Sequence, residues 1–269
     1  QLNEELAADF LQAETEEARD AAQAALYRDI GRQMPSKFID KWNAWRYLAM
    51  LGNARTHVRN VVGNAGFAPV VAVKNTIATG LETVTDKVSG GKAFSGERGA
   101  RTKALTAGKA LYQAAFDDYG RVKAQVMAGG KYQDFAPNSA IEEGRVIFKS
   151  KLMKPVEWAR RKNGAALELE DSWFAKPHYA AALASYCKAN GITAEQVRSG
   201  KGLDKAREYA IREAQKATYR DTNDFSQWVS SIGRYSGDNK AARAASVLVK
   251  GILPFRKTPA NILARGVEY

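Results

Sequence analysis

A single cysteine, Cys187, in 269 residues excludes any disulfide within the chain and any cysteine-rich metal knuckle. A reducing compartment, or a particle assembled in one, is the simple inference. Histidine is nearly as scarce. His57 and His178 have no second His or Cys at a metal-ligand spacing, so each reads as a surface or packing side chain. Cys187 follows His178 by nine residues, which fixes no Cys-His geometry, and reads as a buried structural thiol. No apolar run reaches the ~20 residues that a bilayer-spanning helix needs. The nearest approach begins at Gly66, but its unbroken part ends at Val73, and Lys74, Asn75, Glu82 and Asp86 interrupt the rest. Alternating segments are too short to make a convincing strand. The Gly-Lys pairs at Gly91-Lys92 and Gly200-Lys201 lack the glycine spacing and the trailing Ser or Thr of a phosphate loop, and read as flexible basic loops.

What is present is helical periodicity and positive charge. The net charge is +12, but residues 1–30 hold eight acids against Arg19 and Arg28, a net of −6, which leaves +18 for residues 31–269. A field of that sign attracts polyanions such as nucleic acid, anionic lipid or an acidic protein surface; Lys and Arg that merely solvate helix faces are the plain alternative. The acidic first helix is expected to lie on the basic body or to pair with a neighbouring subunit.

The spacing predicts one helix over residues 3–30, with Leu6, Phe10, Ala18, Ala22, Ala25 and Ile30 near one stripe and Gly31 as its left-handed cap. It would be about 40 Å long. Ser36 is placed to cap a second helix, on which Phe38, Trp42, Trp45 and Ala49 recur at helical spacing as a core stripe. Gly52 and Asn53 end it, and Val58, Val61, Val62 and Ala65 face inward on the next, forming a helical corner. Val70, Val73, Ile77, Leu81, Val84 and Val88 then make one face of an amphipathic helix, suited to the core or to a partner helix, with membrane-surface insertion as the lesser reading. Residues 89–101, SGGKAFSGERGAR, read as a flexible Gly/Ser-rich linker or loop. The organisation expected is therefore residues 1–88, the linker 89–101 and a C-terminal helical region 102–269.

In that last region Thr102 is expected to cap a helix bearing Leu105, Tyr112, Ala115, Tyr119, Val122 and Val126 and ending at Gly129-Gly130, followed by an irregular surface segment over 131–150. Asp171 or Ser172 is expected to cap a helix through Trp173, Tyr179, Leu183 and Tyr186, kinked or delayed by Pro177 and ended by Asn190-Gly191. Glu168, Glu170 and Asp171 fit its entrance, where acids favour the positive end of the dipole. Thr193 and Gln196 fit a capping box, and Leu203, Ala206, Ala210, Ala214 and Ala217 form a small-residue stripe. Phe225, Trp228, Val229 and Ile232 follow Asp224. Thr258 and Pro259 start a terminal helix. Beginning at Gln1 without Met and stopping at Tyr269 within a helical pattern, the sequence is expected to be a piece of a longer chain.

Lys149, Lys151, Lys154, Arg160, Arg161 and Lys162 surround Trp158, a combination able to contact phosphates and stack on an exposed base. The competing reading makes Trp158 a core anchor and the charges a solvated rim. No helix-turn-helix, zinc-finger or RNA-binding motif accompanies the cluster.

Two runs carry a family resemblance: WRYLAMLGNARTHVRNVVGNAGFAPV from Trp45 and ILPFRKTPANILARGVEY from Ile252. Through Trp42, Trp45, Arg46, Leu51, Gly52, Asn53, Arg55, Thr56, Arg59, Asn60 and Asn64, then Pro254, Phe255, Thr258, Pro259, Asn261 and Ile262, the chain resembles segments of very large proteins of tailed phages, prophages and conjugative elements. These are internal virion or ejection proteins, tape-measure-like proteins and the helical large polyvalent protein-associated domains. The likeness spans residues 38–269, and neither distinctive run is a catalytic motif. It implies a helical module that travels with, or is packaged beside, phage or element DNA. Together with the helical periodicity, the expectation is an all-α, elongated multi-helix bundle, a fragment of a larger protein, that works by packing and oligomerisation in a virion or in the bacterial cytoplasm. A basic nucleic-acid-binding module of a mobile element is the alternative. A homo-oligomer or other virion proteins are the expected partners, with non-specific DNA and transient membrane contact as further ones. No enzyme activity, cofactor, metal or small-molecule substrate is expected.

Overall fold

The computed structural model describes residues 3–52, 57–58, 61–62, 66, 77, 80–81, 83–90, 108–132 and 140–218. The fold is all-α, with no strand among the described residues. The chain divides into two compact units, residues 1–211 and 212–269, and the second is described only over 212–218. The expected linker lies outside the described residues beyond Gly90. So do the segments after Thr218, with Pro254, Phe255 and Pro259, and the corner residues Asn53, Arg55, Arg59, Asn60 and Asn64.

Residues 3–30 are not one helix. Helix α1 (Glu4–Gln12) starts at Asn3, whose Oδ1 accepts the N–H groups of Glu5 and Leu6 at 3.1 and 3.4 Å, and ends at Ala13 in extended backbone. Helix α2 (Glu16–Gln33) restarts at Thr15, whose Oγ1 accepts the Ala18 N–H at 3.1 Å. A capping hydroxyl followed by two acids favours a fresh helix start over continuation. Gly31 is not a left-handed cap either. It is a buried residue inside α2, set against helix α5 (Ala140–Gly144), and a Cβ there would overlap the Ile141 carbonyl. Gly144 answers it, since a Cβ at that position would overlap the carbonyl of Arg28. Arg28 and Glu143 add an ion pair at 2.7 Å across the same crossing.

Helix α3 (Phe38–Leu51) begins one residue later than expected. Lys37 is its first flanking residue, its N–H held at 2.9 Å by Asp40, while the Ser36 hydroxyl donates to the Ile147 carbonyl at 2.7 Å. Gly52 ends the helix as expected, donating to the Leu48 carbonyl at 2.7 Å. The aromatic stripe, however, is not core. Phe38 is 81% exposed, Trp42 47% and Trp45 52%, and the two indoles stack on each other with centroids 5.6 Å apart. The Arg46 guanidinium lies 5.8 Å from the Tyr47 ring centre. Periodicity identified the face correctly but could not show that nothing in the described chain covers it. Trp45→Ala is accordingly expected to cost about 1 kcal/mol or less, far below the ~3–5 kcal/mol of a core aromatic truncation, in urea denaturation followed by circular dichroism. A core-sized loss would place a covering element on α3. The described members of the next stripe, Ile77, Leu81, Val84 and Val88, are exposed too, so this chain does not bury them as core.

The principal core lies where helix α4 (Lys109–Met127) packs on helix α6 (Lys154–Ala189), with α7 (Ala194–Ser199) and α8 (Asp204–Ala217) closing it. From α4 come Ala114, Ala115, Tyr119, Val122 and Val126; from α6 Ala175, Tyr179, Ala180, Leu183 and Cys187. Val197 of α7 and the expected stripe of Leu203, Ala206 and Ala210 complete it. Tyr119 and Tyr179 meet edge to face at 5.5 Å, a geometry that aligns a ring's positive edge with its neighbour's negative face. Small residues bring the backbones close.

Gly129 ends the α4 region with φ +76, as expected, and the capping box of Thr193 and Gln196 forms at 3.3 and 2.8 Å. The 131–150 segment is not simply a surface run, because Ala140, Ile147 and Phe148 are buried. The largest departure is α6. Neither Asp171 nor Ser172 starts a helix; one helix of 36 residues runs through both and carries Pro177 inside it, ending at Asn190.

Candidate nucleic-acid and partner interface

The basic cluster at the start of α6 separates into two chemically different sets, and the residue that sorts them is Glu157. Its carboxylate is buried and takes the N–H groups of Ile147 and Phe148 at 3.3 and 3.2 Å, Arg160 at 2.6 and 3.1 Å, and Arg161 at 3.0 Å. Burial opposes the negative charge, but the two guanidiniums and the Phe148 amide outweigh it and hold the carboxyl below its ordinary range. Arg160 also donates to the Arg145 carbonyl at 2.9 Å, and Arg145 in turn reaches Asp40 at 2.8 Å and Glu142 at 3.0 Å. Arg160 and Arg161 are therefore fasteners between α6 and the 144–148 segment. Lys149 is a fastener as well: its Nζ donates to the carbonyls of Arg32 and Met34, at 3.2 and 3.0 Å, where α2 ends. An open cleft of about 310 Å³ beside them is lined by Arg32, Val146, Phe148, Lys149, Lys154 and Glu157.

Lys151, Lys154, Lys162 and Trp158 remain outward. Trp158 is 64% exposed, so it is not a core anchor. Along α6, Lys154, Trp158, Lys162, Ala165, Leu169 and Trp173 recur at spacings of four, four, three, four and four, and all six are exposed. At 100° per residue they fill an arc of about 100°, and at ~1.5 Å per residue a strip roughly 28 Å long. Trp173, 65% exposed, ends it. The sequence pointed to the lysines and Trp158, but it missed Glu157, although an acid three and four residues before paired arginines is a readable helical ion-pair pattern.

The other chemically notable groups are structural. Asp118 is buried and receives Arg207 on both oxygens, at 3.0 and 2.6 Å, and the Tyr179 hydroxyl at 2.8 Å. Burial disfavours charge on Arg207, yet the bond to Asp118 dominates and raises its pKa. Burial, reinforced by the Asp118 charge, raises Tyr179 likewise and pushes the Cys187 thiol up to about 12, which leaves that thiol unreactive at neutral pH. This network, too, was missed. Its signal was an acid on α4 between Ala115 and Val122, on a face otherwise apolar.

His57 bonds through both ring nitrogens to α6, Nδ1 at 2.5 Å from Glu170 and Nε2 at 3.0 Å from Asn163. His178 is shifted down by burial. Glu168, Glu170 and Asp171 are not at a helix entrance but in mid-helix, where Glu168 pairs with Lys123 at 2.5 Å. Among the described residues, no group of three or more His, Cys, Asp or Glu side chains is placed to hold a metal ion, and no helix is long and apolar enough to cross a membrane. A comparison with family models, curated proteins and solved structures finds no match.

Proposed function

We propose that this chain is a non-enzymatic assembly module of a large phage-derived virion protein, of the internal, ejection or tape-measure-like kind, acting through helix packing and oligomerisation. The observation that carries the packing role is the set of large apolar side chains held outward on ordered helices: Phe38, Trp42 and Trp45 on α3, and Trp158, Leu169 and Trp173 on α6. Contiguous apolar ridges that face water mark interaction surfaces. The phage origin rests on the resemblance of the Trp45 and Ile252 runs, and with it the virion or the bacterial cytoplasm as location.

A second reading, a basic nucleic-acid-binding module of a mobile element, is favoured by one feature, the exposed Trp158 between Lys154 and Lys162. Sedimentation over a range of protein concentrations, beside a fluorescence-anisotropy titration of DNA at rising salt, separates the two. The assembly module should self-associate and bind DNA weakly without a localised loss on mutation. Submicromolar DNA binding at physiological salt, with a logarithmic salt slope that flattens by up to about three when Lys151, Lys154 and Lys162 become Ala, would instead establish the second reading. Arg160 and Arg161 are unsuitable targets, since their loss would strip Glu157 of its partners.

A further inference from the structure

Two exposed surfaces of this chain are complementary in charge, and among the described residues neither is covered by the other or by a matching surface. On the first, Glu4, Glu5 and Asp9 of α1, Glu14 between the helices and Glu16 of α2 are exposed, and no cation among the described residues is within ion-pair distance of them. Only Glu17 reaches one, Arg121 at 3.7 Å. The crowding is felt nearby: Asp20 is shifted up, first by partial burial and then by the charges of Glu16 and Glu17. Helix α1 has no buried residue, and Leu11 is 82% exposed beside these acids. On the second surface, the strip from Lys154 to Trp173 combines lysines with Trp158, Leu169 and Trp173, and residues 149–162 hold six cations against one acid. The first surface is an acidic, partly apolar helix; the second is a basic, aromatic helix face.

We infer that the acidic α1–α2 segment of one copy docks on the Lys154 to Trp173 strip of α6 in a second copy, so that chains join head to tail. This rests on the assembly reading above and names its interface. Tryptophans would supply the desolvated anchors, and the lysines would steer and align the carboxylates around them. Nucleic acid is the weaker occupant for the same strip. It would use Trp158 and the lysines but give no role to Leu169, and the acidic helices of the same molecule would repel it. Because the two surfaces differ, each bound pair still presents one free surface of each kind, and the contact continues until it closes as a ring or extends as a filament.

The test is charge reversal with complementation on the full chain, followed by sedimentation velocity and, for helical content, circular dichroism. Variant one carries Glu5→Lys, Asp9→Lys and Glu14→Lys; variant two carries Lys151→Glu, Lys154→Glu and Lys162→Glu. Each alone should stay monomeric where the unmutated chain associates, and an equimolar mixture should associate again, since each variant then offers the other a matching pair of surfaces. Salt tests the unmutated chain independently: raising it from about 50 mM to about 500 mM should weaken association about tenfold or more. An oligomer indifferent to salt and to both variants would overturn this interface while leaving the assembly reading intact. A chain monomeric at every concentration would overturn both. Loss of DNA binding in variant two, from a chain that never self-associates, would assign the strip to nucleic acid.

Discussion

Replacing Arg207 with Met should cost about 3 to 5 kcal/mol of unfolding free energy, because it leaves the Asp118 carboxylate buried with its charge uncompensated. Water cannot reach Asp118 to solvate it; its side chain is 0% exposed and that of Arg207 only 5%. The companion experiment removes the whole network at once with Asp118→Leu, Arg207→Met and Tyr179→Phe. That triple variant should be much closer to the parent, since apolar groups of similar volume have no desolvation penalty to recover. Urea denaturation monitored by far-UV circular dichroism reads both. A single-variant loss under about 1 kcal/mol would mean that Asp118 is not held in a water-free site, and the central role given to this pair would then be wrong.

Gly31→Ala and Gly144→Ala should each destabilise by about 2 kcal/mol or more, against the usual direction for a helical glycine. Intrinsic propensity favours alanine by up to about 1 kcal/mol in a helix interior. Here the added methyl would overlap backbone, the Ile141 carbonyl at one position and the Arg28 carbonyl at the other, and backbone cannot rotate aside as a side chain can. Gly164→Ala supplies the control. It lies in α6 with nothing within 4 Å of its missing Cβ, and should gain about 0.5 to 1 kcal/mol. Thermal or urea unfolding of the three variants decides the matter by sign alone. If Gly31→Ala were neutral or stabilising, α2 and α5 would not be in backbone contact.

The contrast between these glycines shows what the sequence could and could not reveal. Helical class was legible, because a 3.6-residue period is printed in the order of side chains; so were local signals such as the Thr193-Gln196 capping box and the Gly129 and Asn190-Gly191 stops. Close approach was not, since nothing near Gly31 in sequence announces Gly144. Helix continuity failed in both directions. Thr15 broke a pattern that looked continuous, while Ser172 looked like a cap but sits in a helix already under way, with its hydroxyl turned back to the Leu169 carbonyl at 2.8 Å. The interface was half legible. Spacing placed Trp42 and Trp45 on one face and the basic cluster singled out Trp158, but whether a side chain meets core or water depends on packing from distant segments. The arginine cluster misled for a related reason: charge counts do not reveal that Arg160 and Arg161 are already committed to Glu157.

Pro177 has a consequence for how α6 opens. Having no N–H, it cannot bond the carbonyl of Trp173, and its ring crowds that carbonyl, so the hydrogen-bond ladder has a missing rung where the exposed strip gives way to the buried Ala175 to Cys187 stretch. A single continuous helix should therefore behave as two cooperative units in native-state amide hydrogen exchange. Amides from Trp158 to Trp173 would exchange through local fraying, at rates set by little buried area, while those from Tyr179 to Cys187 would exchange only with global unfolding. Occupation of the strip by a partner would slow the first group and leave the second unchanged, so exchange protection along one helix becomes a residue-resolved gauge of assembly.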